Sequence, residues 1–347
     1  MVDLTTYTTL RTPTKAKALL EIFSADQLKT EIAKGTFKKP FFILGSGANV
    51  LFTKNFPGTV IINKLNWENR MSSTSQSTTI TVASGKSWHE TVMTSVANSW
   101  SGLENMALIP GTVGAAVTGN IAAYGQNQED VFESLVAINL NTGKSETFTK
   151  SDCQFSYRES IFKHQLMGKY FITSVTYRLS RTAHLELSYS AKRHASLLPQ
   201  LQKIATPPYT IKDVAQAVIN LRNEKLPDWT TTQTAGSFFK NPVVTIAKAE
   251  ALKKIIPDLQ TYPAEKLSYI APQHLADYVK IPAGMLLDEL GWKGKRTGNV
   301  GTSPQHALVI IAYPGATGEE IYSFSENMRS SVSQKFDINL EYEVIVV

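Results

Sequence analysis

The chain has 347 residues, a formal net charge of +6, 42% hydrophobic and 18% charged residues, so it is too long for one small core and too apolar for a disordered chain, and two or three domains are expected. The basic balance suits an anionic ligand or a solvated basic surface. No dense Lys/Arg block with interleaved aromatics accompanies it, so no nucleic-acid surface is expected.

In chain order, residues 24–35 read as a helix, with Ser24 as cap, Gln27 three positions on and Gly35 as stop. A short apolar strand at 40–45 feeds a glycine turn, and a strand at 59–65 follows a Pro57-Gly58 turn. Residues 71–79 are polar and low in complexity and read as a surface loop. Residues 79–85 alternate as a strand, and 87–100 place Trp88, Thr91, Val92, Val96 and Trp100 near one helix face. Strands are expected at 132–143 and 168–180, and a helix at 210–227, where Ile211, Val214, Val218 and Leu221 recur before Pro227. Helices follow at 246–259 and 316–337, with strands at 307–313 and 338–347. Alternation in the last segment puts Glu341 and Glu343 on one face.

Two glycine-rich segments stand out, FFILGSGANV at 41–50 and LIPGTVGAAVTGNIAAYG at 108–125. They are either ordinary tight turns or nests of backbone N–H groups for the phosphates of a dinucleotide. Neither matches the G-x-G-x-x-G nicotinamide pattern with its downstream acid.

Three further segments carry candidate chemistry. In FSYRESIFK at 155–163, Arg158 is either half of a surface ion pair or a fixed fork of donors for developing negative charge. In AGSFFKNP at 235–242, Ser237, Lys240 and Asn241 are either a turn over core phenylalanines or polar contacts to a substrate, with Ser237 a possible proton donor. This is not the G-x-S-x-G elbow, so it gives no support to hydrolase chemistry. Glu341 or Glu343 can handle protons or simply face solvent, and periodicity does not choose between them.

The six histidines include no H-E-x-x-H arrangement, His184 and His194 lack ligand spacing, and His89 reads as structural. No metal site is expected. The single cysteine, Cys153, excludes an internal disulfide framework. No apolar run is long enough to span a membrane and no signal peptide is evident, so a cytoplasmic protein is expected.

Taken together, LGSGANVL (44–51), GLENMALIPGTVGAAVTGNIAAYG (102–125), YRESIFK (157–163), AGSFFKNP (235–242) and LEYEV (340–344) occur in one order. The chain in this respect resembles the UDP-N-acetylenolpyruvoylglucosamine reductases, flavoenzymes of bacterial peptidoglycan precursor synthesis, from about residue 9 onward. The match is to their longer-chain branch.

The resemblance implies an α+β, three-domain flavoprotein with a vanillyl-alcohol-oxidase-type, PCMH-like FAD fold. The parts would be residues 1–66 with 338–347, then 67–209, then an α/β substrate domain at 210–337. It implies that Gly45, Ser46, Gly47, Ala48, Asn49, Val50 and Leu51 form the diphosphate turn. Pro110, Gly111, Gly114, Ala115, Ala116, Asn120 and Gly125 would hold more of a non-covalent FAD, with Arg158 close to it. NADPH would be the reductant and UDP-N-acetylenolpyruvoylglucosamine the substrate. Ser237 would be the proton donor, and Arg158 and Glu343 would answer developing charge. Tyr189, Lys225 and Asn241 would contact the substrate with them. A monomer is expected, since the site can be assembled within one chain, with no metal, nucleic-acid or membrane partner.

Two departures are visible: Gln305-His306 stands where Gln-Gln is common, and Ala115-Ala116-Val117 where more polar variants are familiar. Another FAD-dependent oxidoreductase of the same fold and a non-enzymatic flavin-binding protein remain the alternatives.

Overall fold

The computed structural model describes residues 1–190, 196–264 and 272–347, and His194 lies outside them. The chain divides into two compact units. The first comprises Lys17–Ser46 and Pro57–Arg222; the second comprises Met1–Ala16, Gly47–Phe56 and Asn223–Val347.

In the first unit, strands Phe41–Leu44 and Phe56–Asn63 run parallel, from Phe41 opposite Thr59 to Leu44 opposite Ile62. Helix Ala25–Ala33 is capped as expected, with the Ser24 hydroxyl accepting from the Gln27 N–H at 3.1 Å. Its Leu28 buries with Ile22, Ile61, Leu65, Ala83, Ile138, Leu140 and Phe171. Pro57 and Gly58 lie inside the second strand and not in a turn before it. A Cβ on Gly58 would meet the Pro40 carbonyl oxygen at 1.9 Å, so this glycine serves a close approach.

A five-stranded antiparallel sheet forms the rest of this unit, ordered Ser145–Thr149, Phe132–Asn139, Tyr170–Ser180, Ser77–Ala83, Arg70–Ser73. The polar stretch 71–79 is thus mostly a hairpin, with Arg70 opposite Thr81 and Ser73 opposite Thr78, and not a loop. Its outer strand is exposed on every residue, so no apolar alternation marked it.

Helix Trp88–Ala97 packs Trp88, Val92 and Val96 onto this sheet's core. The same core takes Val214, Ala215, Ala217, Val218 and Leu221 of helix Ile211–Lys225. Contacts therefore carry this helix through Arg222 into the first unit, whereas the three-part division begins a separate domain at 210.

The second unit is built on a sheet ordered Gln233–Ser237, Val309–Ala312, Val300–Thr302, Arg296–Thr297 and on the long helix Gly318–Phe336. Thr317 and Glu320 cap that helix reciprocally. Leu10 and Leu51 bury with Phe238, Phe239, Ile321, Phe324, Met328 and Leu340, which draws the two short N-terminal pieces into this unit. Of the strand expected over 338–347, only Ile345–Val346 is regular, paired parallel with Val50–Leu51. Among the described residues, no helix is long and apolar enough to cross a membrane.

Candidate active site

In the first unit the second glycine segment folds tightly against the first. Thr112 caps the short helix Val113–Thr118, its hydroxyl accepting from the Ala115 N–H. A Cβ on Gly45 would lie 2.6 Å from that hydroxyl oxygen, so only glycine lets the chain pass there. Gly114 donates its N–H to the Ser84 carbonyl at 2.8 Å, and a Cβ on it would crowd Ser84 at 3.0 Å. Gly111 takes φ +129°, with open space where a side chain would stand. Gly125 also takes a positive φ. Ala115 is exposed on this surface and Ala116 buried beneath it.

Asn120 is buried and held by protein groups: its amide donates to the Ser156 carbonyl at 2.9 Å and accepts from Gln128 at 2.9 Å. It thereby fixes the turn that bears Arg158. Ser156 and Glu159 exchange backbone hydrogen bonds at 3.1 and 3.0 Å, which puts Tyr157 and Arg158 at the tip. Arg158 is left-handed, with φ +56°, as are Leu108, Asn120 and Tyr124 in the second glycine segment. Such conformations cost energy in non-glycine residues and gather at functional sites. The Arg158 guanidinium donates to the Ala122 carbonyl at 3.0 Å and lies 5.8 Å from the Tyr157 ring centre.

Two residues beyond the sequence reading join this region. Arg222 donates to the Leu108 carbonyl at 3.1 Å, and its guanidinium interacts electrostatically with the Tyr124 hydroxyl. Burial pushes that hydroxyl's pKa up, against the pull of the arginine. The Tyr124 ring meets Tyr189 edge-on at 4.9 Å. Arg222 stands three residues before Lys225 on one helix, a spacing that shares a face and was the available signal.

His89, read as structural, accepts on Nδ1 from the Leu108 N–H at 2.9 Å, and burial followed by the Arg222 charge holds its pKa below the usual histidine value. Cys153 is buried, and burial pushes its thiol up to about 12, which disfavours the nucleophilic thiolate.

In the second unit Gly47 takes φ +67°, and a Cβ there would lie 2.0 Å from the Tyr7 carbonyl oxygen. Among the described residues, no protein acceptor takes the successive N–H groups of Gly47, Ala48 and Asn49. A bare run of donors on a glycine turn fits an anionic diphosphate. The Asn49 side chain donates to the Glu343 carbonyl at 3.0 Å, and its own carbonyl accepts from Ile345 at 3.0 Å.

Strand Gln233–Ser237 is irregular between Thr234 and Ser237, where Gly236 takes φ +73°. An irregularity of this kind re-aims the following side chain. Ser237 is half-buried beside fully buried Phe238 and Phe239. The Phe238 carbonyl accepts the Glu343 N–H at 2.8 Å. Serine and glutamate are thus separated by one residue and one backbone hydrogen bond.

Glu341 instead pairs with Lys240 at 3.1 Å with its side chain 61% exposed, and Glu343 is half-buried. Asn241 accepts from the Ala283 N–H at 3.0 Å, capping helix Ala283–Glu289. Lys225 ends its helix half-buried, and the buried ring of His306 accepts from the Leu308 N–H at 3.2 Å. Among the described residues no cluster of His, Cys, Asp or Glu is placed to hold a metal ion.

Glycine turns, a strained arginine turn and this fold define a flavoprotein: residues 16–149 match the family model described as an FAD binding domain. Residues 228–347 match the model for the UDP-N-acetylenolpyruvoylglucosamine reductase C-terminal domain. The reductase of Flavobacterium johnsoniae is 37% identical over 99% of this chain and 98% of its own length. That of Chromobacterium violaceum is 36% identical over 100% and 98%. The crystal structure of the Thermus caldophilus enzyme shares the fold, with a TM-score of 0.66 at 21% identity over 99% of this chain and 97% of that one. The chain belongs to the UDP-N-acetylenolpyruvoylglucosamine reductase family, and it binds FAD.

The turn at Gly47 is testable. Gly47→Ala is expected to lower the FAD retained per chain, because backbone must move before a Cβ fits. Gly168→Ala has the same φ of +67° but open space, so it should cost only about 1 kcal/mol in stability and keep its FAD. Absorbance of the purified proteins reads both. Normal FAD content in Gly47→Ala would separate this turn from the diphosphate.

Proposed function

We propose that NADPH is the reductant of this family member, that its FAD is held without a covalent bond, and that Arg158, Ser237 and Glu343 are its catalytic side chains. The reaction, which family membership along 99% of the chain carries, is the FAD-mediated reduction of UDP-N-acetylenolpyruvoylglucosamine to UDP-N-acetylmuramate. The observation that supports the residue roles is the backbone hydrogen bond from Glu343 to the residue after Ser237.

When bound, FAD supplies the hydride that adds to the methylene carbon of the enolpyruvyl ether. That addition leaves enolate-like charge on the neighbouring carbon and its carboxylate. Arg158, permanently cationic with a planar fork, is oriented by the Ala122 carbonyl to answer that charge. The Ser237 hydroxyl gives its proton to the charged carbon, completing the lactyl ether, and the serine oxygen regains a proton from solvent. Glu343 is the partnering carboxylate that holds or orients this proton. Tyr189, Lys225 and Asn241 contact the UDP-sugar, lysine suiting its diphosphate.

The test is anaerobic. NADPH is expected to bleach the bound flavin, and UDP-N-acetylenolpyruvoylglucosamine to restore its colour promptly. Reduced flavin indifferent to that sugar would favour another oxidoreductase of this fold. Denaturation should release FAD into the supernatant; flavin left on the chain, or FMN alone, would overturn the cofactor assignment.

A further inference from the structure

Glu343 has no continuous strand to hold it. It lies at a bend between an isolated bridge, Tyr342 with Phe239, and the short strand Ile345–Val346. What fixes it from the N-terminal side is Tyr342. The Tyr342 hydroxyl donates to Glu326 at 2.6 Å and lies 2.7 Å from the Ser325 hydroxyl, both on helix Gly318–Phe336. Its ring stacks on Tyr322 with centroids 6.1 Å apart and leans on Phe239 at 5.2 Å.

Arg329 closes the cluster. It pairs with Glu326 at 2.5 Å, lies 5.2 Å from the Tyr342 ring centre and donates to the Leu340 carbonyl at 3.0 Å. Burial pushes the Tyr342 phenol well above the usual tyrosine pKa, while Tyr342 holds the Glu326 carboxyl below its own, so donor and acceptor persist across the working pH range. Backbone hydrogen bonds carry the anchor to the chemistry, Lys240 donating to Glu341 at 2.9 Å and Glu343 to Phe238 at 2.8 Å.

We infer that Tyr342 is a positioning residue: by anchoring the terminal segment to the long helix, it sets where Glu343 and the Ser237–Phe238 peptide stand during sugar reduction. The inference rests on the role proposed for Glu343.

Tyr342→Phe keeps the ring and removes the hydroxyl. In the holoprotein, FAD content and NADPH reduction should stay within about twofold, while reoxidation at saturating sugar should slow roughly tenfold, the scale of a hydrogen bond to a charged group. Glu326→Gln should show the same asymmetry with the tyrosine intact, which covers the case where Tyr342→Phe folds poorly. Tyr342→Phe added to Glu343→Gln should cost less than the two single costs combined, because part of what Tyr342 does is to place the Glu343 carboxylate.

Equal losses in both half-reactions, or costs that add in the double variant, would reduce Tyr342 to a stability residue and overturn the inference. Sugar reoxidation at the parent rate in both Tyr342→Phe and Glu326→Gln would do the same. Normal sugar reoxidation in Glu343→Gln would overturn the reading beneath it, an outcome separable from the others.

Discussion

Ser237→Ala is expected to hold FAD and to let NADPH reduce it at near the parent rate, while reoxidation by the sugar slows about 10²–10⁴-fold, the usual worth of a general acid. The asymmetry follows from where the hydroxyl acts. A proton is needed only after hydride has reached the sugar, so the NADPH half-reaction has no use for it. The substitution should leave the local structure alone, because Phe238 and Phe239 are fully buried and the Phe238 N–H and carbonyl are both committed, to Leu308 and Glu343. Ser237→Cys should recover part of the rate, since a thiol also delivers a proton. Stopped-flow absorbance separates the two half-reactions. Parent-rate reoxidation in the alanine variant would remove Ser237 from the chemistry.

Much of the frame was legible in the residues because local rules sufficed. Ser24 with Gln27, and Thr317 with Glu320, cap helices from within a few positions, and the apolar spacing of helix Ile211–Lys225 shows its buried face. Which core receives that face is a tertiary fact. Its Val214, Val218 and Leu221 bury in the first unit's core, and no spacing reports that. The hairpin over 71–79 was hidden because its outer strand buries nothing. Gly58 was misread because a glycine needed for close approach looks the same in sequence as one needed for a turn.

The site divides in the same way. Gly47 and Ser237 could be singled out from their motifs. Arg222 shares a helix face with Lys225, but its pairing with Tyr124 joins positions nearly a hundred residues apart and no spacing reports it. Asn120 and Asn241 carry polar groups that the fold itself uses, one beneath the Arg158 turn and one as a helix cap. Only the folded chain shows such commitments.

Arg158→Lys and Glu343→Gln should each slow sugar-dependent reoxidation about 10²–10³-fold, the range for removing one preorganised group aimed at developing charge, while NADPH reduction and FAD content change little. Lysine keeps the charge at 158 but loses the planar fork that meets the Ala122 carbonyl, so the orientation is lost even though the cation is kept. For the glutamates the structure gives a sharper comparison than periodicity did. Glu341 is 61% exposed, so its charge is well solvated although Lys240 beside it is more buried, and Glu341→Gln should have little effect on the sugar half-reaction. Glu343 is half-buried, with its N–H on the Phe238 carbonyl and its own carbonyl on Asn49, so the same substitution there alters a side chain whose backbone is fixed on both sides. Both variants are to be checked for bound FAD before their half-reactions are timed. A selective loss in Glu341→Gln with normal Glu343→Gln would mean that the terminal segment presents the other carboxylate to the sugar. Equal, mild effects would mean that both face solvent and that the proton handled by Ser237 needs no carboxylate from this segment.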